Sequence, residues 1–228
     1  MEASSSQPEK CLGPTAFIDS ASPEVRAYVE GKISGLTNPA EKAKALFYGV
    51  RDDIHYDPYC FDGTLNSFIA SKVIGRSRGF CVPKAVVLAA TLRAAGIPAR
   101  LGFADVRNHL TTDKLRSRMG GIDVFVFHGY TEAWLDGRWI KVTPTFNLSL
   151  CEKFGVKPLD WDGRTDAIFH PFDSTGRKHM EYVRDRGQFD DLPLAEILTA
   201  WKEIYGNSLV ENGLPGGDFA AEARPISS

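Results

Sequence analysis

The sequence lacks several features that would assign it to a special class of protein. Its 228 residues carry 27 Lys and Arg against 29 Asp and Glu, a net charge of −2, so the basic excess of a nucleic-acid-binding domain is missing. No segment approaches the roughly 20 apolar residues of a membrane-spanning helix. The start, MEASSSQPEKCLGPTAF, has neither the basic residues nor the apolar run of a secretory signal. We therefore expect a cytoplasmic protein without nucleic-acid or membrane partners.

Cysteine is scarce, and its spacing excludes two further classes. The four cysteines are far apart and form no CxxC pair, so neither a zinc framework nor a redox dithiol is indicated; they are Cys11, Cys60, Cys81 and Cys151. The histidines show no metal-ligand spacing, and the acidic segments lack the pattern of a calcium loop. We expect no metal and no cofactor, and the question becomes whether one free thiol is reactive.

The composition that is present is typical of a soluble globular protein. Apolar residues make up 43% of the chain and charged residues 25%, and the length suits one domain. The Ser-rich start predicts a flexible tail over residues 1–14, and the ending GLPGGDFAAEARPISS predicts another over 207–228. The single domain is expected over residues 15–206.

Helical patterns come first along the chain and strand patterns follow. Asn38 and Pro39 predict the start of one helix, and CVPKAVVLAATLRAA, from Cys81, predicts a helix buried on most sides. The runs ARLGFADV, VFVFHGYTEAWL and RWIKVTP predict an antiparallel meander, with Asp136-Gly137 as a hairpin turn. PLAEILTAWKEIYG predicts a last amphipathic helix. The fold class is α+β, with a buried helix packed on the sheet.

Cys81 and His128 are the residues whose context suggests chemistry. Cys81 stands at a helix start, where free N–H groups and the helix dipole favour a thiolate and could hold an oxyanion. His128 lies inside a predicted strand, which would hold its imidazole rigidly as a general base. The alternatives are a buried structural cysteine and a histidine on the solvent face of the strand.

Two runs of sequence resemble the transglutaminase-like superfamily. The run RGFCVPKAVVLAATLRAAGIPARLGF resembles the family's Gly-x-Cys helix and its Gly-Ile-Pro-Ala-Arg ending, and HGYTEAWLDGRWIKVTPT resembles its histidine strand and the strand that follows. VRDDIHYDPY adds a weaker upstream match, so the likeness covers about Ala43 to Asn147. The resemblance implies a papain-like α+β core, a nucleophile helix packed on an antiparallel sheet.

The same resemblance implies a catalytic set with one departure. Cys81 would be the nucleophile and His128 the general base, but Thr143 stands where the family usually has Asp. A hydroxyl can accept a hydrogen bond from imidazole, although it cannot stabilise an imidazolium as a carboxylate does. Asn147 is the preferred substitute for the missing carboxylate, and Glu132 is another candidate.

The implied reaction is acyl transfer through a thioester on the cysteine. A peptide or small molecule would supply an amide, ester or thioester carbonyl, and water or an amine would accept the acyl group, giving hydrolysis, amine transfer or cyclisation. The candidate substrate contacts are Tyr56, Arg78, His109, Tyr130 and Glu132. His109 is also an alternative base.

Thr143 leaves a second function open. A catalytically silent binding module would keep the fold without the reaction. The acyl donor, the acceptor, the oligomeric state and the fold of residues 151–190 are not determined by the sequence.

Overall fold

The structure is a computed structural model that describes residues 8–108, 111–168, 180–214 and 216–224. Its α-helices are α1 (Pro23–Ile33), α2 (Pro39–Asp53), α3 (Ala70–Arg76), α4 (Cys81–Ala94), α5 (Asp113–Arg118), α6 (Leu148–Phe154), α7 (Leu194–Tyr205), α8 (Asn207–Asn212) and α9 (Phe219–Glu222). Its strands are β1 (His55–Tyr56), β2 (Arg78–Gly79), β3 (Ala99–Asn108), β4 (Val124–Leu135), β5 (Arg138–Val142) and β6 (Met180–Phe189). The predicted α+β class is confirmed.

Helix α2 begins where the sequence predicts. The side-chain oxygen of Asn38 accepts the N–H groups of Ala40 and Glu41 at 2.9 and 3.2 Å, and Pro39 occupies the first turn, where a missing N–H costs nothing. The apolar residues of this helix then face the core, among them Leu46 and Phe47.

Helix α4 is the centre of the domain. All of its residues from Cys81 to Arg93 are buried, as its nearly continuous apolar sequence predicts. It packs between the sheet on one side and α1, α2 and α3 on the other. Its one lysine, Lys84, is also fully buried and donates hydrogen bonds to the carbonyls of Arg51 and Ile54 at the end of α2. Burial lowers the pKa of Lys84 to about 7.

The main sheet is antiparallel with strand order β5-β4-β3-β6. Asp136 and Gly137 form the hairpin turn between β4 and β5, and both have positive φ, 50° and 77°, as a type I′ turn requires. Strand β6 has no counterpart in the sequence analysis. It forms the edge of the sheet, and its exposed residues include two adjacent charged ones, Arg184 and Asp185, which discourage pairing with a further strand.

Both segments that the sequence assigns to tails contact the domain where they are described. Cys11 is buried, and the Arg93 guanidinium donates to the carbonyl of Gly13 at 2.8 Å. Near the other end, Leu209 and Phe219 are buried in the core. The core therefore extends beyond the predicted limits of 15 and 206.

Within the described ranges, no helix has the length and apolar character needed to cross a membrane. The same residues contain no group of three or more His, Cys, Asp or Glu side chains placed to bind a metal ion.

Candidate active site

Cys81 is the first residue of α4 and forms part of the wall of an apolar cavity. Its residue surface is 8% exposed. The other walls come from several distant parts of the chain, including Tyr56, Phe80, Met119 and Trp201. The cavity therefore forms only when the loop after β1, helix α5 and helix α7 pack around the start of α4.

The Cys81 thiol is not ionised at neutral pH in this structure, contrary to the expectation from its helix-start position. Burial raises its pKa to about 11, although the backbone N–H groups of Gly129, Val82 and Cys81 itself act in the opposite direction and lower it. The desolvation cost exceeds the stabilisation by these N–H groups. The helix start thus supplies donors to the sulfur but not a resting thiolate.

The Cys81 thiol lies beside strand β4 where the edge of β4 is no longer paired with β5. The pairing of β4 with β5 ends at Thr131 opposite Val142, so Gly129 lies beyond it, and its backbone N–H is among the groups that lower the pKa of Cys81. Gly129 also allows the close approach of α4, since a Cβ there would lie 3.1 Å from the Cα of Val82.

His128 directly precedes Gly129. It is the cross-strand partner of Ala104, and alternation puts it on the same side of β4 as Tyr130, whereas Thr131 faces α4 and donates to the carbonyl of Ala85 at 2.9 Å. Burial lowers the pKa of His128 to about 4, so its imidazole is neutral at pH 7. Gly129, whose N–H lowers the pKa of Cys81, directly follows His128 in β4, and the thiol and the imidazole are both uncharged.

A β-bulge next to His128 depends on an ion pair that the sequence analysis missed. Phe127 has φ of 57°, a left-handed conformation that is unfavourable for an aromatic residue. The buried carboxylate of Asp105 accepts the Phe127 N–H at 3.1 Å and pairs with Arg186, whose Nη2 lies 2.7 Å from Oδ2. The Arg186 guanidinium also lies 4.7 Å from the centre of the Phe127 ring. The three residues come from three strands, and no local pattern signals them.

The two candidates for the third catalytic position have different surroundings. Thr143 is buried, and its hydroxyl has no hydrogen-bond partner among the residues that the structure describes. The amide oxygen of Asn147 accepts the N–H of Tyr56 at 3.0 Å, and its amide nitrogen donates to Ser149 at 2.8 Å. These two bonds join β1 to the start of α6 and engage both polar atoms of the Asn147 amide.

Glu132 and Tyr130 lie away from the cavity that contains the thiol. Glu132 forms a buried ion pair with Arg100 at 2.6 Å, which occupies its carboxylate. The Tyr130 ring lies over Gly102, where a Cβ would be 2.2 Å from the ring, and its hydroxyl accepts a bond from Gln188 at 3.4 Å. Both residues stabilise the sheet, and neither is among the residues around the cavity.

The remaining predicted contacts divide into three cases. Tyr56 does line the cavity, and burial, reinforced by the nearby Cys81, raises its pKa well above the usual value. Arg78 is largely exposed, and its guanidinium lies 3.6 Å from the Asp57 carboxylate. Both residues line a second, polar cavity that Tyr56 also borders. His109 lies outside the described residues.

The other cysteines are no more ionised than Cys81. Burial raises the pKa of Cys11, Cys60 and Cys151 to about 11 in each case. Cys81 differs from them in its position, because it combines a helix start, a cavity wall and the N–H of Gly129.

A family model supports the assignment that the motifs suggested. The model described as the transglutaminase-like superfamily matches residues 26–144, just over half of the chain. The chain therefore belongs to the transglutaminase-like superfamily. Membership supports a cysteine-based activity in general.

Comparison with solved structures finds distant likenesses. A candidate cysteine protease from Cytophaga hutchinsonii is 21% identical over 59% of this chain and 40% of its own, with a TM-score of 0.45. The periplasmic domain of TgpA from Pseudomonas aeruginosa is 21% identical over 61% of this chain and 48% of its own, with a TM-score of 0.42. This chain spans less than half of either protein. A search of curated proteins finds no match.

Proposed function

We propose that the protein is a cysteine-dependent acyltransferase or hydrolase that carries its acyl group as a thioester on Cys81. The observation that carries this proposal is the backbone N–H of Gly129, which lowers the pKa of the Cys81 thiol from the open edge of β4, next to His128. It links the start of α4 to the strand that bears the candidate base. Membership of the superfamily supports the same pair.

The uncharged resting pair defines the first step. Because Cys81 is a thiol and His128 a neutral imidazole, the sulfur loses its proton to the imidazole as it attacks the carbonyl carbon. The carbonyl electron pair moves to oxygen, and the N–H groups of Cys81 and Val82, which favour the thiolate before the attack, stabilise this oxyanion as charge leaves the sulfur. Pro83 has no N–H, so these two residues supply the donors of the first turn.

The second half of the reaction returns the proton and releases the acyl group. The tetrahedral intermediate collapses, the leaving group takes the proton from His128, and the acyl group stays on sulfur. Water or an amine then attacks the thioester carbonyl and gives a proton to His128, the C–S bond breaks, and the departing sulfur takes the proton back from His128. Water gives an acid, and an amine gives an amide or a cyclised product. The donor is a peptide or a small molecule.

Intact-mass spectrometry tests the nucleophile. The protein is incubated with glutamine peptides, esters and thioesters, and we expect one acyl adduct in the natural protein and in Cys60→Ala, which removes another thiol with a pKa of about 11. Cys81→Ala should form none. An adduct that persists in Cys81→Ala contradicts the assignment.

The role of His128 is tested by the pH dependence of acylation. His128→Ala should slow acylation about 100-fold or more at pH 7, the usual contribution of a general base. The difference should shrink as the pH approaches 11, because hydroxide then ionises Cys81 without the imidazole. Equal rates in the two proteins at pH 7 would remove His128 from the mechanism.

A silent binding module is the second candidate, favoured by the raised pKa of Cys81 and the unpartnered Thr143 hydroxyl in the described part of the chain. Alkylation by iodoacetamide separates the two. In a silent module the rate follows only the thiol pKa and is the same in His128→Ala.

A further inference from the structure

The cavity at Cys81 has walls of one chemical kind. The described side chains around it are apolar or aromatic, and none is charged; they include Phe61, Phe80, Leu115, Met119, Phe127 and Trp201. An ionised group placed there would lose its hydration without gaining a counter-ion, which is strongly unfavourable.

The two polar groups that α7 contributes to the walls already have partners inside the protein. The Tyr205 hydroxyl accepts the N–H of Val126 at 2.8 Å and donates to the carbonyl of Val124 at 2.9 Å. The indole N–H of Trp201 donates to the carbonyl of Val126 at 3.2 Å. These groups hold α7 against β4 and are not available to bind a polar substituent.

The position of the thiol decides which part of a donor would occupy this space. After the leaving group departs, the acyl carbon remains bonded to the sulfur of Cys81. The carbons that follow it in the acyl chain must then lie within two or three bonds of the sulfur, and the cavity is the space that Cys81 borders. The leaving group has no such restriction, because its bond to the acyl carbon breaks in the acylation step.

The size of the cavity limits the acyl chain. Its volume is about 60 Å³. A cavity that binds benzene measures about 150 Å³, more than twice as much. The space therefore accepts a short aliphatic chain and is too small for an aromatic ring unless the walls move.

We propose that Cys81 takes its acyl group from donors with a short, uncharged aliphatic chain, which the apolar cavity around Phe80, Met119 and Trp201 selects by size and charge. This inference rests on the proposed function. Trp201, Leu209 and Leu214 lie beyond the matched region 26–144, so part of the selection belongs to the added C-terminal segment.

A series of p-nitrophenyl esters tests the selection in the unmodified protein. The sulfur attacks the ester carbonyl, p-nitrophenolate leaves with the electron pair of the broken C–O bond, and water later releases the carboxylic acid. Acetate and butyrate esters should acylate Cys81 fastest. The hemisuccinate, as long as butyrate but with a carboxylate, should be about 100-fold slower or more, and the phenylacetate about tenfold slower.

Met119→Ala tests whether the walls set the size limit. It should reduce the difference in acylation rate between the phenylacetate and butyrate esters. Leu65→Ala, which truncates a 60% exposed leucine outside the cavity, should leave that difference in rate unchanged. Equal acylation by all four esters would overturn the inference and leave the proposed function standing. Iodoacetamide labelling of Cys81 without acylation by any ester would overturn both.

Discussion

Removal of the Asp105 carboxylate should destabilise the bulge that precedes His128. The carboxyl side chain is 8% exposed and pairs with Arg186, which is 19% exposed, and it also accepts the Phe127 N–H. Breaking a buried pair by removing one partner costs about 3–5 kcal/mol. Since Arg186 retains some contact with water, we expect Asp105→Ala to lower the free energy of unfolding by about 3 kcal/mol.

Urea unfolding followed by tryptophan fluorescence measures this cost. Asp123→Ala is the matched control, because its pair with Arg107 involves the same residue types at 3.1 Å but is 49% and 40% exposed; it should cost less than about 1 kcal/mol. The imidazole pKa of His128, followed by NMR, should also rise from about 4 in Asp105→Ala as water enters the loosened bulge. If Asp105→Ala costs no more than Asp123→Ala, the structural role of the pair is refuted.

Two further predictions concern the sheet. The pKa of His128 falls from 6.5 to about 4 on folding, so the folded protein favours the neutral imidazole. The stability that depends on this neutral form is fully present above pH 6.5 and is lost as the pH falls towards 4. The free energy of unfolding should decrease by about 3 kcal/mol in all. The urea midpoint should therefore drop less between pH 7 and 4.5 in His128→Gln, and an equal drop contradicts the burial of the imidazole. Glu132→Ala breaks the buried pair with Arg100 and should cost about 3 kcal/mol. Under native conditions it should leave alkylation of Cys81 unchanged, and an altered rate would place Glu132 in the site.

The sequence predicts the parts of the fold that depend on local contacts. Asn38 caps α2 through its own side chain, and the Asp136-Gly137 turn tolerates the positive φ that a tight hairpin needs. The meander of β3, β4 and β5 follows from its short strand runs. Strand β6 was missed because the pattern of an edge strand is polar and does not alternate clearly.

The same distinction between local and long-range contacts applies to the candidate site. The positions of Cys81 at a helix start and His128 in a strand follow from sequence. The ion pair at the bulge and the commitment of Asn147 to Tyr56 do not, because their partners are far apart in the chain.

By itself the sequence determined the α+β class, the family resemblance and the two residues on which a cysteine-based reaction would depend. Only the tertiary structure decided that the thiol and the imidazole are both neutral at pH 7 and that an apolar cavity borders the sulfur. The physical reason is that protonation depends on desolvation. Desolvation at Cys81 is set by residues such as Met119 and Trp201, which reach the start of α4 only after the whole chain has folded.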